Sequence, residues 1–295
     1  MTVVFIGGTN GLLSQMTARM ILAPVIKSKT IADAALSPRR LLTRIAATGP
    51  VERVSMTTYQ SRLKSREKVA EGTMAFHLDK PAGFQFKAGQ YVDISLINSP
   101  ETDPQGIVRS FSIASAPYEN ELLVVTRMRN SAFKRVLAIL PLGTEVKLEG
   151  PMGSFTLHKN RAKAAVFLAG GIGITPFLSI LRQATEEKLP QPLYLFYSNR
   201  HPQDAAFLND LEILSKLNAN FIFIPSMSEM EKSSLDWQNE RGFINREMLL
   251  RHIDGLQGPI YYVAGPPAMV VAMREMLTNA GVEEDDIRTE EFGGY

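Results

Sequence analysis

Residues 164–176 read AAVFLAGGIGITP. A short apolar run, 164–169, leads without a polar break into Gly170, Gly171 and Gly173, and then into Pro176. A run of that length bounded by glycines is a strand buried on both faces. Proline suits the first helical position, where its missing N–H removes no hydrogen bond. Strand, glycine turn and helix in that order allow phosphates to approach the backbone at a helix N-terminus. The same arrangement also serves plain packing. The third glycine of GxGxxG is absent, so this segment by itself leaves nucleotide binding open.

Downstream, strands are expected at 193–197, 220–225, 260–264 and 286–292. Helices are expected at 176–188, 204–217, 245–253 and 267–280. Strands that alternate with helices predict a doubly wound parallel sheet. Upstream, the rhythm is different. Residues 74–79, 90–97 (QYVDISLI), 109–115, 121–128 and 145–148 are short strand candidates, separated by turns rich in proline and glycine. That pattern predicts an antiparallel barrel or sandwich. One helix fits 132–140, where Phe133, Val136, Leu137 and Leu140 share a face. The expected organisation is therefore an extension at 1–50, a β-barrel at 51–157 and an α/β domain at 158–295.

The extension carries Arg19, Lys27, Lys29, Arg39, Arg40 and Arg44 against the single acid Asp33. It reads as an organelle transit peptide, as a poorly ordered extension, or as residues preceding a start at Met56. The cytoplasm is the expected compartment unless it is a transit peptide.

The whole chain has 295 residues, 45% of them hydrophobic and 21% charged, with a formal net charge of +2. These are values of a globular protein with material for two cores. They supply no global charge argument for a nucleic-acid partner. There is no cysteine, which excludes disulfides and iron–sulfur ligation by this chain. Four scattered histidines offer no metal-ligand spacing, and no metal is expected. No stretch reaches the ~18–20 apolar residues of a membrane span.

Three turns fall at the carboxyl ends of expected parallel strands, where ligands of such sheets collect. They are Gly170–Pro176, then Ser198, Asn199 and Arg200, then Ala264, Gly265, Pro266 and Pro267. Arg200 is either a plain surface arginine or a contact for the adenosine ribose or its phosphate. No acid stands there until Asp204 to accept ribose hydroxyls, which favours NADPH over NADH. In the barrel half, Arg109, Ser110, Phe111 and Ser112 sit on one strand. The arginine can fork onto a pyrophosphate. Phe111 falls on the same face and can cover a flat ring.

Taken together, these pieces resemble the ferredoxin–NADP reductase superfamily. RSFSIAS (109–115) is similar to its RxYS flavin motif, GPMGSF (150–155) to its GPxGxF junction, and AGGIGITP (169–176) to its GGxGxxP motif. YSNR (197–200), AGPP (264–267) and TEEFGGY (289–295) follow in the family's order, so the resemblance covers about residues 72–295. It implies an FAD-binding barrel, a nicotinamide domain, and hydride transfer from NADH or NADPH to FAD. Electrons then go to an acceptor such as a ferredoxin, a flavodoxin, an oxygenase component or a small oxidant.

By the same resemblance, Arg109 pairs the FAD pyrophosphate and Phe111 lies against the flavin. Ser112 bonds near the atom that receives hydride. Val125, Thr126 and Arg127 line the flavin. Ser131, Ala132, Phe133 and Lys134 open a helix at the pyrophosphate. Thr175 stands between the two rings. Glu290 and Phe292 form the closing acid and aromatic, with Tyr295 a rival shield for the flavin. The nicotinamide dinucleotide falls to Gly170, Gly171, Gly173, Thr175, Pro176, Ser198–Arg200 and Ala264–Pro267.

Phe111 replaces the commoner tyrosine, Lys134 a serine and Ala264 a cysteine, and a working but slower site is expected. Two other readings stay open: a nicotinamide-independent electron-transfer or regulatory flavoprotein, and a binding module without flavin.

Overall fold

A computed structural model describes residues 57–293. The 1–50 extension and the Tyr295 reading lie outside the described residues. The first half is an antiparallel six-stranded sheet: β1 (Thr58–Ala70), β2 (Thr73–Asp79), β3 (Tyr91–Leu96), β4 (Val108–Ser112), β5 (Glu121–Arg127) and β6 (Glu145–Met152). The strand order is β4-β3-β6-β1-β2-β5. The sheet curls until its two edge strands meet. A lone bridge, Ile113 to Val124, and one bond, Ala114 N–H to the Leu123 carbonyl (2.7 Å), close the barrel. Inside lie Leu63, Phe76, Val92, Ile94, Val124, Val146 and Leu148. Helix α1 (Ala132–Ile139) adds Phe133, Val136 and Leu137 to this core.

Strand β1 was not expected from the sequence. TYQSRLKSREKVA shows no apolar alternation because only Ser61 and Leu63 of this strand are buried. It is a strand because both flanks are paired: Thr58–Arg62 with β6, and Leu63–Ala70 with β2.

The second half is a parallel sheet, β7 (Ala165–Gly170), β8 (Leu193–Asn199), β9 (Phe221–Met227), the two-residue β10 (Glu240–Arg241), β11 (Ile260–Gly265) and β12 (Ile287–Glu291). Its order is β10-β9-β8-β7-β11-β12. Along β7 the side chains alternate between two cores. Ala165, Phe167 and Ala169 meet Phe177 and Leu181 of α2 (Ile174–Glu186) and Leu211 of α3 (Leu208–Leu217). Val166 and Leu168 meet Met248 of α4 (Arg246–His252) and Val270 and Leu277 of α5 (Pro267–Asn279). Burial on both faces is the reason these strands read as unbroken apolar runs. The fold is thus an antiparallel barrel followed by a doubly wound parallel sheet.

Two helix starts differ from expectation. One turn of 3-10 helix over Gly171–Gly173 precedes α2, so Pro176 takes the third α-helical position, not the first. Its absent N–H is still one of those a helix start leaves unpaired. The helix expected at 204–217 begins only at Leu208. Pro202–Asp204 forms a 3-10 turn, and Phe207 interrupts with φ of 60°. Among the described residues no helix is long and apolar enough to cross a membrane.

Candidate active site

The barrel's β4 and β5 wall a recess of about 410 Å³, lined by Arg109, Ser110, Phe111, Val125, Thr126, Arg127, Ser131 and Lys134 from the barrel. Ile172, from the glycine turn of the α/β half, and Phe292, just past β12, complete it. The barrel's arginine strand and the later glycine turn therefore face one cleft. Phe111 is 7% exposed, and its ring packs on Phe133 (centroids 5.8 Å apart). Phe292 is fixed where its N–H donates to the Gly265 carbonyl (3.0 Å).

The recess is strongly cationic. Arg109, Arg127, Arg129 and Lys134 all line it. Burial, and then the repulsion of Arg129 and Arg109, push the Lys134 ammonium below its ordinary value. Its Nζ donates to the Arg127 carbonyl (2.7 Å). Helix α1 points its N-terminus here, and the Ser131 hydroxyl accepts the Lys134 N–H (3.3 Å). Buried cations are stable when an anion accompanies them. A diphosphate supplies that charge, so these residues fit the pyrophosphate of FAD.

Arg109 shows an unexpected arrangement. Its guanidinium stacks over Phe133, 5.4 Å from the ring centre. Its Nη2 forks onto Asp103 (2.6 and 2.8 Å), and its Nη1 donates to carbonyls of Gln105, Gly106 and Val108. That fork holds the Asp103 carboxyl below its usual range, and the same carboxyl accepts the N–H of Ala132. An internal acid thus already engages both Arg109 and the start of α1.

Several expected residues are structural neighbours of the recess and do not line it. Ser112, Ala132 and Phe133 are buried in the barrel. Thr175, expected between the two rings, is 1% exposed, and its hydroxyl donates to the Ile172 carbonyl (3.1 Å). Ile172, and not Thr175, lines the recess.

Gly170, Gly173 and Gly265 have a packing reason. A Cβ on Gly173 would lie 2.1 Å from the Ala264 carbonyl oxygen, and one on Gly170 2.3 Å from the Met269 sulfur. Only glycine lets the turns after β7 and β11 touch, at the point where the sheet order reverses. Gly171 bends the first turn with φ of 51°. Ala264 is 0% exposed, so its methyl faces the core and not a ligand. Pro266 and Pro267 open α5.

At the end of β8, Asn199 is buried, and neither its side-chain oxygen nor its nitrogen has a partner. A buried amide without partners is costly unless a ligand satisfies it. Ser198 and the exposed Arg200 flank it.

Glu290 pairs with Ala264 in the register of β11 and β12. It lines a separate recess of about 590 Å³ with Gly153, Ser154, Phe155, Arg288 and Thr289. Its Oε2 is sealed from solvent without a partner, and burial pushes its carboxyl up to about 7. The closing acid and aromatic, two residues apart, thus serve adjoining recesses. Gln105, Arg129, Ile172 and Gly293 also line the cationic recess and were not expected there. Of these, only Arg129 carried a visible signal, as a second cation two residues after Arg127. Among the described residues no cluster of three or more metal-ligating side chains exists.

Residues 60–157 match the family model described as an oxidoreductase FAD-binding domain, and residues 167–275 match the oxidoreductase NAD-binding domain. The chain is 31% identical over 222 residues to the reductase component of propane 2-monooxygenase from Rhodococcus jostii, covering 72% of this chain and 57% of that protein. It is 28% identical over 225 residues to the glycine betaine monooxygenase reductase subunit of Chromohalobacter salexigens, covering 75% of this chain and 60% of the other. The chain spans about three-fifths of the length of these curated relatives. Its fold is similar to a ferredoxin NADP+ reductase from Neisseria gonorrhoeae solved with bound FAD and NADP. That match has a TM-score of 0.67 at 21% identity and covers 79% of this chain and 98% of that one.

Proposed function

The chain belongs to the ferredoxin–NADP reductase superfamily, and from that premise we propose that it is an FAD-dependent oxidoreductase that takes hydride from NADH or NADPH and passes electrons to a separate acceptor. The observation that carries this reading is the cationic recess, walled by Phe111 and Phe292 and opened toward the carboxyl-end turns of the parallel sheet. FAD, when bound, supplies the redox chemistry by accepting a hydride and releasing electrons onward.

The protein's residues do the positioning. Arg127, Arg129, Lys134 and the N-terminus of α1 neutralise the pyrophosphate, with Arg109 held beside them by Asp103. Phe111, Val125 and Thr126 seat the flavin, and the buried Ser112 follows Phe111 on β4. Phe292 shields the face that nicotinamide must reach. The glycine turn at 170–176 and the turn at 264–267 receive the dinucleotide, with Ser198, Asn199 and Arg200 at its adenosine end.

Both oxygens of Asp204 are engaged elsewhere, by Arg127 and His201, so this acid is not offered to a ribose 2′-hydroxyl. Arg200 stands exposed instead. This favours NADPH as the donor. Glu290 is a proton-holding group beside the nicotinamide turn. The relatives that are reductase components of monooxygenases support an oxygenase component or a ferredoxin as the acceptor.

Anaerobic titration of the FAD-loaded protein with each nicotinamide tests the proposal. NADPH should bleach the flavin absorbance at lower concentration than NADH, and Arg200→Ala should remove that preference. A loaded protein that neither donor bleaches overturns it. That outcome favours a nicotinamide-independent flavoprotein, to which the burial of Ala264 and Thr175 lends weight.

A further inference from the structure

Asp204, in the turn that leaves the adenosine end of the parallel sheet, reaches across to the barrel. Its Oδ1 accepts from Nη2 of Arg127 (3.2 Å), and its Oδ2 lies 2.9 Å from Nδ1 of His201. The carboxyl is 9% exposed and the Arg127 side chain 17%. One residue earlier, the Gln203 carbonyl accepts the N–H of Glu71 from the turn between β1 and β2 (2.8 Å). Two bonds of different kinds therefore join the same short turn to the barrel.

Arg127 is also a wall of the cationic recess, and its carbonyl receives Nζ of Lys134. Arg127 and Asp204 also line, with Arg129, Arg200 and His201, a second recess of about 330 Å³; without that carboxylate the guanidinium would stand among these cations with no neutralising partner and would turn away from them.

We infer that Asp204 is a positioning residue that holds the Arg127 guanidinium against the flavin recess from the opposite domain. The inference rests on the reading of that recess as the FAD site. It gives the clasp a task beyond holding the domains together: the α/β half helps to set the affinity of the barrel for its cofactor. The ion pair is mostly shielded from water, so its coupling should be large enough to measure.

The test is a double-variant cycle on the full chain. FAD affinity is measured by flavin fluorescence for Asp204→Asn, Arg127→Ala and the pair, with Asp204→Glu as the conservative variant. In the FAD-free protein, hydrogen exchange of the Glu71 amide is followed in the same set. Asp204→Asn should weaken FAD binding about fivefold. Asp204→Glu should recover part of this, and Asp204→Asn should add nothing once Arg127 is alanine. Glu71 exchange should quicken in both single variants and no further in the double.

Losses that multiply in the double variant, or unchanged FAD affinity in Asp204→Asn, overturn the inference, whatever happens to the melting temperature. A wild-type chain that takes up no FAD overturns the functional reading instead. The clasp is then judged on Glu71 exchange, and unchanged exchange overturns it.

Discussion

Glu290 shows how a single residue acquires a property its neighbours in sequence do not reveal. TEEF contains two adjacent acids. Glu291 is exposed, whereas Glu290 turns inward beside Ser154 and Phe155 and loses its water. The folded state keeps its proton to higher pH than the unfolded chain does, about 7 against 4.5. Its favourable contribution is therefore complete below pH 4.5 and is lost as pH rises through 7. Replacing it by glutamine should raise stability by ~1–3 kcal/mol at pH 8 and leave it unchanged at pH 4. Thermal melts of both proteins across that range check this, and parallel curves would contradict it.

The motif residues were legible because each motif is a run of covalent neighbours: RSFS, GGIGITP and AGPP carry their own turns. Arg129, Ile172 and the Arg127–Asp204 pair were not legible as a site. Arg127 of β5 and Asp204 of the 3-10 turn lie 77 residues apart in sequence and meet only in the fold.

At the scale of elements, the periodic strands and helices were readable wherever one or both faces are buried. β1 escaped because its long outer surface is polar, and its pairing partners are distant in sequence. Helix starts were misplaced where short 3-10 turns intervene, since those turns obey local backbone geometry that an apolar pattern does not encode.

Helix α1 is the element whose end matters most for the proposed function. It is only eight residues long, and Ser131 is its side-chain cap. Ser131→Ala should cost about 1 kcal/mol. That corresponds to a melting temperature lower by roughly 2–4 °C for a chain of this size. The accompanying loss of FAD affinity should exceed that of a distant substitution with an equal melting shift, because the capped N-terminus lines the recess proposed for the pyrophosphate. Equal losses in both variants would remove α1 from the cradle.

For the whole molecule, the core beneath β7 does not stop at the domain boundary. Ala75, Ala114, Leu123, Val125 and Phe155 from the barrel side pack in one cluster with Phe167, Phe177 and Tyr262 of the α/β half. Two-domain chains commonly unfold in steps. This shared core predicts that the described halves unfold together. The single tryptophan, Trp237, is buried in the α/β half, with its indole N–H on the Glu240 carbonyl (2.8 Å), and it reports that half alone. Its fluorescence and the far-ultraviolet circular dichroism of the whole chain should give one midpoint in urea. Two separated midpoints would mean that the halves melt independently.

The barrel closes through the Ile113–Val124 bridge and the adjoining bond from Ala114, immediately beyond the residues of β4 and β5 that wall the recess. Whatever rests on Phe111 on one side and on Val125 and Thr126 on the other lies across that narrow seam. A cofactor seated there would act as a suture across edges that the backbone barely stitches, so emptying the recess should loosen the cylinder first at that seam.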